Sequence, residues 1–551
     1  MASLSALYQA NNDNPSRFIS GYHDLNGDTR AFLASNDIYL DDNDVARCSP
    51  DFNIEEHLNE LSELLNSYRP IREIYHEKMR YYKGDHTAIK NRVDNVDSIT
   101  ESNNRVIINI AKNLVNTFTG YTNGKPVQVT YTPDNGDLQS TDAQNINDTI
   151  SEVFNRTHAD AVIYEGSKKA TIYGRSYLVA YMSQELGEAK PEMKFTTRSP
   201  ENCLIVYSND NSSKPMFAMT FDYIDSNYYG TLYTPDKIGT FDSDTLQSEA
   251  FGNETNAFKF EKNPFVTIPV IEIRENDERM GMMDDLLTQT DKLDKVMSQK
   301  IDENDYFNNA ILVTKGIKDF DDQQKKDIKT YHIIQVKTVA GQQDPEIEFL
   351  SKPDGDNIQE HTLTHLTNFI YNTAQVVNMS DPAFTDSTSS GEALARKMQP
   401  MQMHATVKFF QVQQALQELL LLIFAQNNNS VDSAYDIVQH TDIKFTPNIP
   451  ESLLDESTVV KNLNGIVSTP RLLSFISSIN DVPQEVKAIE TEKQQNAQRF
   501  AEATPNNNNE GNPSDANDDN SQSNPNNTES NTQQSTPGQS QSNANNQQSG
   551  D

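Results

Sequence analysis

Few residue groupings in this chain are placed to do covalent chemistry. Gly120-Tyr121-Thr122-Asn123-Gly124-Lys125-Pro126 has the glycines and lysine of a phosphate-cradling loop. Such a loop needs one more residue between its glycines, however, and here proline stands where a Ser or Thr would hold magnesium. The segment reads as a turn. His361 and His365 stand at i and i+4, a spacing that can bind zinc, yet Thr362-Leu363-Thr364 supplies no glutamate and no third ligand is evident. Asp24-Leu25-Asn26-Gly27-Asp28 places its glycine too early for a calcium loop. Cys48 and Cys203 are the two cysteines, and neither has the sequence context of a nucleophile. The expectation is no catalytic residue, no cofactor and no metal site.

Charge is the stronger signal. The 551 residues carry 45 Lys and Arg against 80 Asp and Glu, a formal net charge of −35. A protein that grips nucleic acid needs clustered basic side chains, which release counterions from the phosphates. The balance here argues against that class, and it fits both a surface past which a polyanion slides and any soluble acidic protein. One stretch concentrates the question. From Met283 to Asn308, Leu286, Leu287, Leu293, Val296, Met297 and Ile301 form an apolar helical stripe. Its other faces hold Asp284, Asp285, Asp291, Asp294, Asp302, Glu303 and Asp305 against Lys292, Lys295 and Lys300. On pattern alone this is a solvated, acidic helix face.

The elements that would position these residues can be read from periodicity. Helices are expected at Glu55–Tyr82, Ile107–Gly120 and Asp142–Thr171, and strands at Tyr177–Met182, Cys203–Tyr207, Met216–Tyr223 and Tyr228–Tyr233. After the acidic helix come short strands at Ala310–Val313, His332–Val336 and Glu346–Leu350, with a polar helix from Asp319 to Ile328. Taken alone, such a patch of strands is ordinary core. A second helix from about Ile358 to Val377 is ended by Pro382, and a capping box from Ser389 to Glu392 opens a long helix running to about Gln426, kinked at Pro400. Between them lies a polar loop of about a dozen residues, a length uncommon inside a compact domain unless functional or disordered. Short helices are expected at Ser452–Asn464, Pro470–Ser477 and Pro483–Phe500.

Both ends are polar. Only 35% of the chain is hydrophobic and its mean hydropathy is −0.70. From Ala503 to Asp551 the apolar side chains other than proline are alanines, too few to offset the entropy of ordering, so disorder is expected. The first fifty residues, rich in Asp and Asn, read as a mobile arm. Tyr131-Thr132-Pro133-Asp134 recurs at Tyr233-Thr234-Pro235-Asp236 and reads as two turns. Met1-Ala2-Ser3-Leu4 lacks a basic, then apolar leader pattern, and the longest apolar run, Leu419–Ala425, falls short of the roughly 20 residues a bilayer span needs. A cytosolic protein is expected.

Landmarks in a fixed order give a more specific reading. They are Tyr81-Tyr82-Lys83-Gly84-Asp85-His86; Asn109-Ile110-Ala111-Lys112-Asn113-Leu114-Val115 leading to Thr119-Gly120-Tyr121 and Gly124-Lys125-Pro126-Val127; and Ile172-Tyr173-Gly174-Arg175-Ser176-Tyr177. Then come Asn263-Pro264-Phe265, Ile268-Pro269-Val270-Ile271-Glu272, Asn276-Asp277-Glu278-Arg279, and the loop Met379-Ser380-Asp381-Pro382-Ala383-Phe384 followed by Ser389-Ser390-Gly391-Glu392-Ala393-Leu394. From about Asp51 to Glu492 the chain resembles the portal proteins of tailed phages, siphophage type.

The resemblance implies an α+β portal fold assembled as a ring. Its parts would be a mobile acidic arm (1–50), a mixed wing (51–276), stem helix 1 (277–309), a small α/β clip (310–352), stem helix 2 (353–377), a tunnel loop (378–390), a long kinked wing helix and return (391–450), a helical crown (451–502) and a disordered polar tail (503–551). It implies a dodecameric channel at one capsid vertex for DNA packaging, retention and ejection, in the virion and, during assembly, in the host cytoplasm. Implied partners are double-stranded DNA in transit without sequence preference, the terminase large subunit, the head-tail adaptor, and the major capsid and scaffolding proteins. Met379, Ser380, Asp381, Pro382, Phe384, Asp386 and Ser389 would form the tunnel loop, and Asp291, Lys292, Asp294, Lys295 and Lys300 are candidate channel-lining charges. The alternatives are a head-tail structural protein without a channel and a head-associated maturation factor; the second would need a catalytic constellation.

Overall fold

The computed structural model describes residues 38–503 except 42, 59, 93–102, 135, 137, 139, 185–189, 251–257, 309–311, 316–321, 324–345, 350–355, 381–390, 429–430, 449–452, 477 and 480–481. The chain divides into Met1–Val482 and Pro483–Asp551, and the described part of the second is the helix reaching Ala503.

The larger unit opens with strands β1 (Ile38–Leu40) and β2 (Ala46–Cys48), which belong to a seven-stranded sheet. This corrects the expectation of a mobile arm for all of residues 1–50. Ile38, Leu40 and Cys48 are buried, and β2 runs parallel to β6 (Cys203–Ser208). The acids that suggest a solvated arm build the turn: Asp41 Oδ1 accepts from the main-chain N–H of Asn43 and Val45, and Arg47 Nε donates to Asp41 Oδ2 at 2.6 Å. Residues 1–37 lie outside the described residues.

The sheet continues through β7 (Pro215–Ile224), β8 (Asn227–Tyr233), β9 (Lys237–Asp242) and β10 (Lys259–Lys262), each antiparallel to its neighbour. A three-stranded antiparallel sheet has β4 (Arg175–Ser183) between β5 (Glu192–Arg198) and β11 (Val270–Arg274). Strand β3 (Gln128–Tyr131) pairs with β14 (Thr441–Lys444), and β12 (Leu312–Lys315) with β13 (Glu346–Phe349). Periodicity marks β4, β6, β7 and β8, and the expected strands Ala310–Val313 and Glu346–Leu350 overlap β12 and β13, but it misses β1, β2, β3, β5, β9, β10, β11 and β14, because isolated short strands carry too few alternations to stand out.

The helices are α1 (Glu60–Lys83), α2 (Thr87–Lys90), α3 (Ile110–Asn123), α4 (Thr141–Thr157), α5 (Ala159–Tyr173), α6 (Ser243–Ala250), α7 (Met282–Asn308), α8 (Asp356–Thr373), α9 (Gly391–Asn428), α10 (Val431–Gln439), α11 (Leu453–Leu463), α12 (Thr469–Leu473) and α13 (Val482–Ala503). The single helix expected over 142–171 is two, because His158 adopts a left-handed φ of 52° and ends α4. Helix α9 runs unbroken through Pro400. Helix α8 stops at Thr373, before the expected Val377. There Gln375 turns left-handed at φ 53°, Val376 N–H donates to Tyr371 O, and Gln375 N–H donates to Asn372 O, the Schellman way of satisfying the last carbonyls. The expected strand His332–Val336 lies outside the described residues, as does nearly all of the expected helix Asp319–Ile328.

Two main cores hold the unit together. One gathers Leu61 and Leu64 of α1, Leu114 and Phe118 of α3, Phe217 and Met219 of the large sheet, Met283 and Leu286 of α7, Ile370 of α8 and Met401 of α9. The other packs Ile163 of α5 and the small sheet, through Leu178 and Phe195, against Leu416, Leu420 and Ile423 of α9. Each fully buried Leu or Ile contributes about 1.5–3 kcal/mol of transfer free energy. The run Leu419–Ala425 is thus core, and no described helix is long and apolar enough to cross a membrane.

Candidate functional site

Helix α7 carries the charges singled out above, and the structure sorts them by face. Asp294 is fully buried and Asp291 is 7% exposed. Asp302 is buried too, whereas Lys292, Lys295 and Gln299 lie exposed at i, i+3 and i+7, one stripe of the helix. Asp291 and Asp294 are therefore removed from any surface that meets a ligand, a correction to their candidate channel-lining role. Lys300 is paired with Glu360 of α8.

The buried acids serve the main chain. Residues 103–108 run alongside α7 in alternate pairing with it: Asn104 N–H donates to Asp302 Oδ1 at 2.7 Å, Val106 N–H to Ser298 Oγ at 3.0 Å and Ile108 N–H to Asp294 Oδ1 at 2.8 Å. The registers match for a geometric reason. Two residues of extended chain advance about 6.6 Å and four residues of helix about 6.0 Å, so alternate amides meet acceptors one helical turn apart. Arg92 Nη2 adds a bond to Asp302 Oδ2 at 3.0 Å.

The first landmark, Tyr81–His86, meets this helix. Tyr81 OH donates to Asp291 Oδ1 at 2.6 Å, and the Tyr81 ring stacks on His86, their centroids 4.7 Å apart. His86 Nδ1 meets Asp294 Oδ2, and its Nε2 faces the Tyr81 carbonyl at 3.2 Å. Burial pushes the Asp291 carboxyl up to about 6, with the Asp294 charge adding to it and the Tyr81 hydrogen bond and His86 charge opposing. Burial and the Asp291 charge push the Tyr81 hydroxyl up, so it remains a donor. Gly84, at φ 81°, turns the chain between these side chains, and a Cβ there would lie 2.9 Å from Asn109 Nδ2, which donates to Tyr82 O.

The other landmarks meet at the start of α7. Gly174 ends α5 at φ 97°, where a Cβ would fall 1.8 Å from the Arg279 carbonyl oxygen. Arg279 clamps Glu272 through two bonds of 2.9 Å, Tyr207 OH donates to the same carboxylate, and Arg175 Nη1 stands 3.9 Å away. Burial pushes Glu272 up, but the Arg279 and Arg175 charges outweigh it and hold the carboxyl below its ordinary value. Lys78 of α1 pairs with Asp284 at 2.6 Å. The motifs between residues 81 and 279 thus act as the seat of α7.

Of the loop residues, Met379 and Ser380 are described and exposed, with Ser380 N–H donating to Asn378 Oδ1 at 3.0 Å. Asp381, Pro382, Phe384, Asp386 and Ser389 lie outside the described residues. The phosphate-loop lookalike at Gly120–Pro126 sits at the C-terminal end of α3, where the helix dipole disfavours an anion. Sequence reasoning missed the roles of Tyr81, His86, Asn104, Ser298 and Asp302. Tyr81 and His86 were visible as a landmark, but nothing local tied them to α7.

No curated protein matches the chain. The family model described as phage portal protein, SPP1 Gp6-like, matches residues 63–499, well over half of the sequence and the span that includes every buried contact to α7 described above. The chain therefore belongs to the phage portal protein family of the SPP1 Gp6-like type.

Proposed function

We propose that this portal protein assembles as a homo-oligomeric ring, a dodecamer, at one capsid vertex, with α7 and α8 as paired stem helices around a channel for double-stranded DNA. The observation that carries this reading is the sorting of charge along the middle of α7: Asp291, Asp294 and Asp302 are bound inward while Lys292 and Lys295 face out, and the exposed acids Asp285 and Asp305 stand toward its ends. Repeated around a ring, the lysines make bands of sparse phosphate contacts on an otherwise acidic protein. Sparse contacts keep non-specific affinity low, so that DNA slides instead of sticking.

In the same reading residues 51–276 form the wing, 310–352 the clip that docks the terminase large subunit and later the head-tail adaptor, and 451–502 the crown. The loop 378–390 projects into the channel and touches DNA during packaging, retention and ejection. Major capsid and scaffolding proteins meet the outer surface, and ATP is hydrolysed by the separate terminase. Assembly takes place in the host cytoplasm and the finished ring stays in the virion.

Negative-stain electron microscopy with mass determination of the full-length chain tests this. Rings with a central hole are expected, and monomers that persist with scaffolding protein present would refute the reading.

A further inference from the structure

Helix α9 presents a face that the described residues of its own protomer do not cover. Between Lys397 and Glu418 the exposed residues are Gln399, Pro400, Gln402, Met403, Thr406, Val407, Phe410 and Gln414, all uncharged. Met403 is 61% exposed, Val407 47% and Phe410 62%. Gln399, Met403, Thr406, Phe410 and Gln414 follow 3- and 4-residue steps, so they form one stripe about four turns long. The helix does carry a lysine in this stretch, but Lys408 is fully buried. Its Nζ donates to Ser167 O at 3.0 Å and pairs with Glu275 at 2.8 Å, and burial lowers its pKa. The one full charge in the stretch thus points inward while phenylalanine, methionine and valine face out. Loss of charge with enrichment in aromatic side chains and methionine marks the centre of a protein interface.

We infer that this face is covered by a second copy of the chain, with the Met403–Phe410 stripe seated against a neighbouring protomer. The inference rests on the ring reading above and names the surface that closes it. Two considerations select a copy of the chain over another occupant. Each protomer carries −35, so copies repel wherever acids face acids, and the contact between them is least costly where both sides are neutral. A basic partner, in contrast, would be met by exposed carboxylates, and this stripe has none. The segment 504–551 cannot serve as a cover, since its apolar side chains other than proline are alanines.

The test replaces Phe410 in the full-length chain with a benzophenone-bearing phenylalanine analogue and assembles an equal mixture of light and ¹⁵N-labelled protein. Photo-cross-linked peptides joining light to heavy chains are expected. Cross-links confined to one chain, for example to residues 1–37, would overturn the inference. In parallel, Phe410→Asp and Val407→Asp should keep native circular dichroism while raising the concentration for half-assembly at least about tenfold. Variants that assemble like the wild type would also overturn it, leaving the ring itself in place. A wild-type chain that never assembles would remove the ring reading instead.

Discussion

His86 and Asp294, 208 residues apart in sequence, meet with both side chains fully buried. Both imidazole nitrogens face oxygens, one of the Asp294 carboxylate and one of the Tyr81 carbonyl. The other carboxylate oxygen takes the Ile108 amide. One residue of α7 thus fixes both the turn after α1 and the segment before α3. Removing one partner of a buried pair leaves an uncompensated charge and costs about 3–5 kcal/mol. Asp294→Ala and His86→Ala should each lower the unfolding free energy by that order, and the double variant should cost much less than their sum. Additive losses in urea unfolding would show that the pair is not coupled.

Asp291 gives the seat of α7 a pH dependence. Its folded pKa of about 6 lies above the usual carboxylate value, so the folded state holds a proton between roughly pH 4 and 6 that the unfolded chain has released. Stability from this group is present below about pH 4 and is lost as pH rises through 6, by on the order of 2–3 kcal/mol. Asp291→Asn keeps an acceptor for Tyr81 and removes the titration. The stability difference between variant and wild type should therefore change across pH 4–6 and level off above it, as chemical denaturation at each pH would record.

Gly174 and Gly120 are predicted to respond in opposite directions to the same added methyl. At Gly174 a Cβ would strike the Arg279 carbonyl at 1.8 Å in a left-handed backbone. Gly174→Ala should destabilise by more than about 3 kcal/mol or prevent soluble expression. At Gly120, inside α3, no described atom outside the helix's own backbone lies within 4 Å, so Gly120→Ala should stabilise by about 0.5–1 kcal/mol. Thermal melts of the two variants decide this.

Lys292→Ala with Lys295→Ala should change stability by less than about 0.5 kcal/mol, as exposed substitutions do, while altering DNA packaging. The pair of readouts separates a role in DNA passage from one in folding: unchanged packaging in an in vitro assay, with rings intact, would count against contact between these lysines and DNA.

Shortening the loop between Ser380 and Ser389 should likewise leave rings intact and impair packaging or retention, whereas deleting 503–551 should leave ring formation unaffected. Unaltered packaging in the first case, or monomers in the second, would contradict the roles proposed for these segments.

The amino-acid sequence by itself determined the helices with long apolar stripes, α1, α7, α8 and α9, and the order of family landmarks, because helix periodicity and glycine-bearing turns are local properties of the chain. It also marked α7 as the charged element. Which of its charges face outward was decided only by tertiary structure. Asp291 and Asp294 look like Lys292 and Lys295 in a charge count, since all four are polar positions beside an apolar stripe. Their burial depends on amides at 104–108 and side chains at 81 and 86, brought alongside by packing some 200 residues away. The same holds for β1 and β2, whose acidic turn reads as solvated until β6 supplies the edge on which β2 pairs. Local pattern fixes where a helix or turn forms, but a buried carboxylate is stable only if distant donors reach it, and their arrival is a property of the fold.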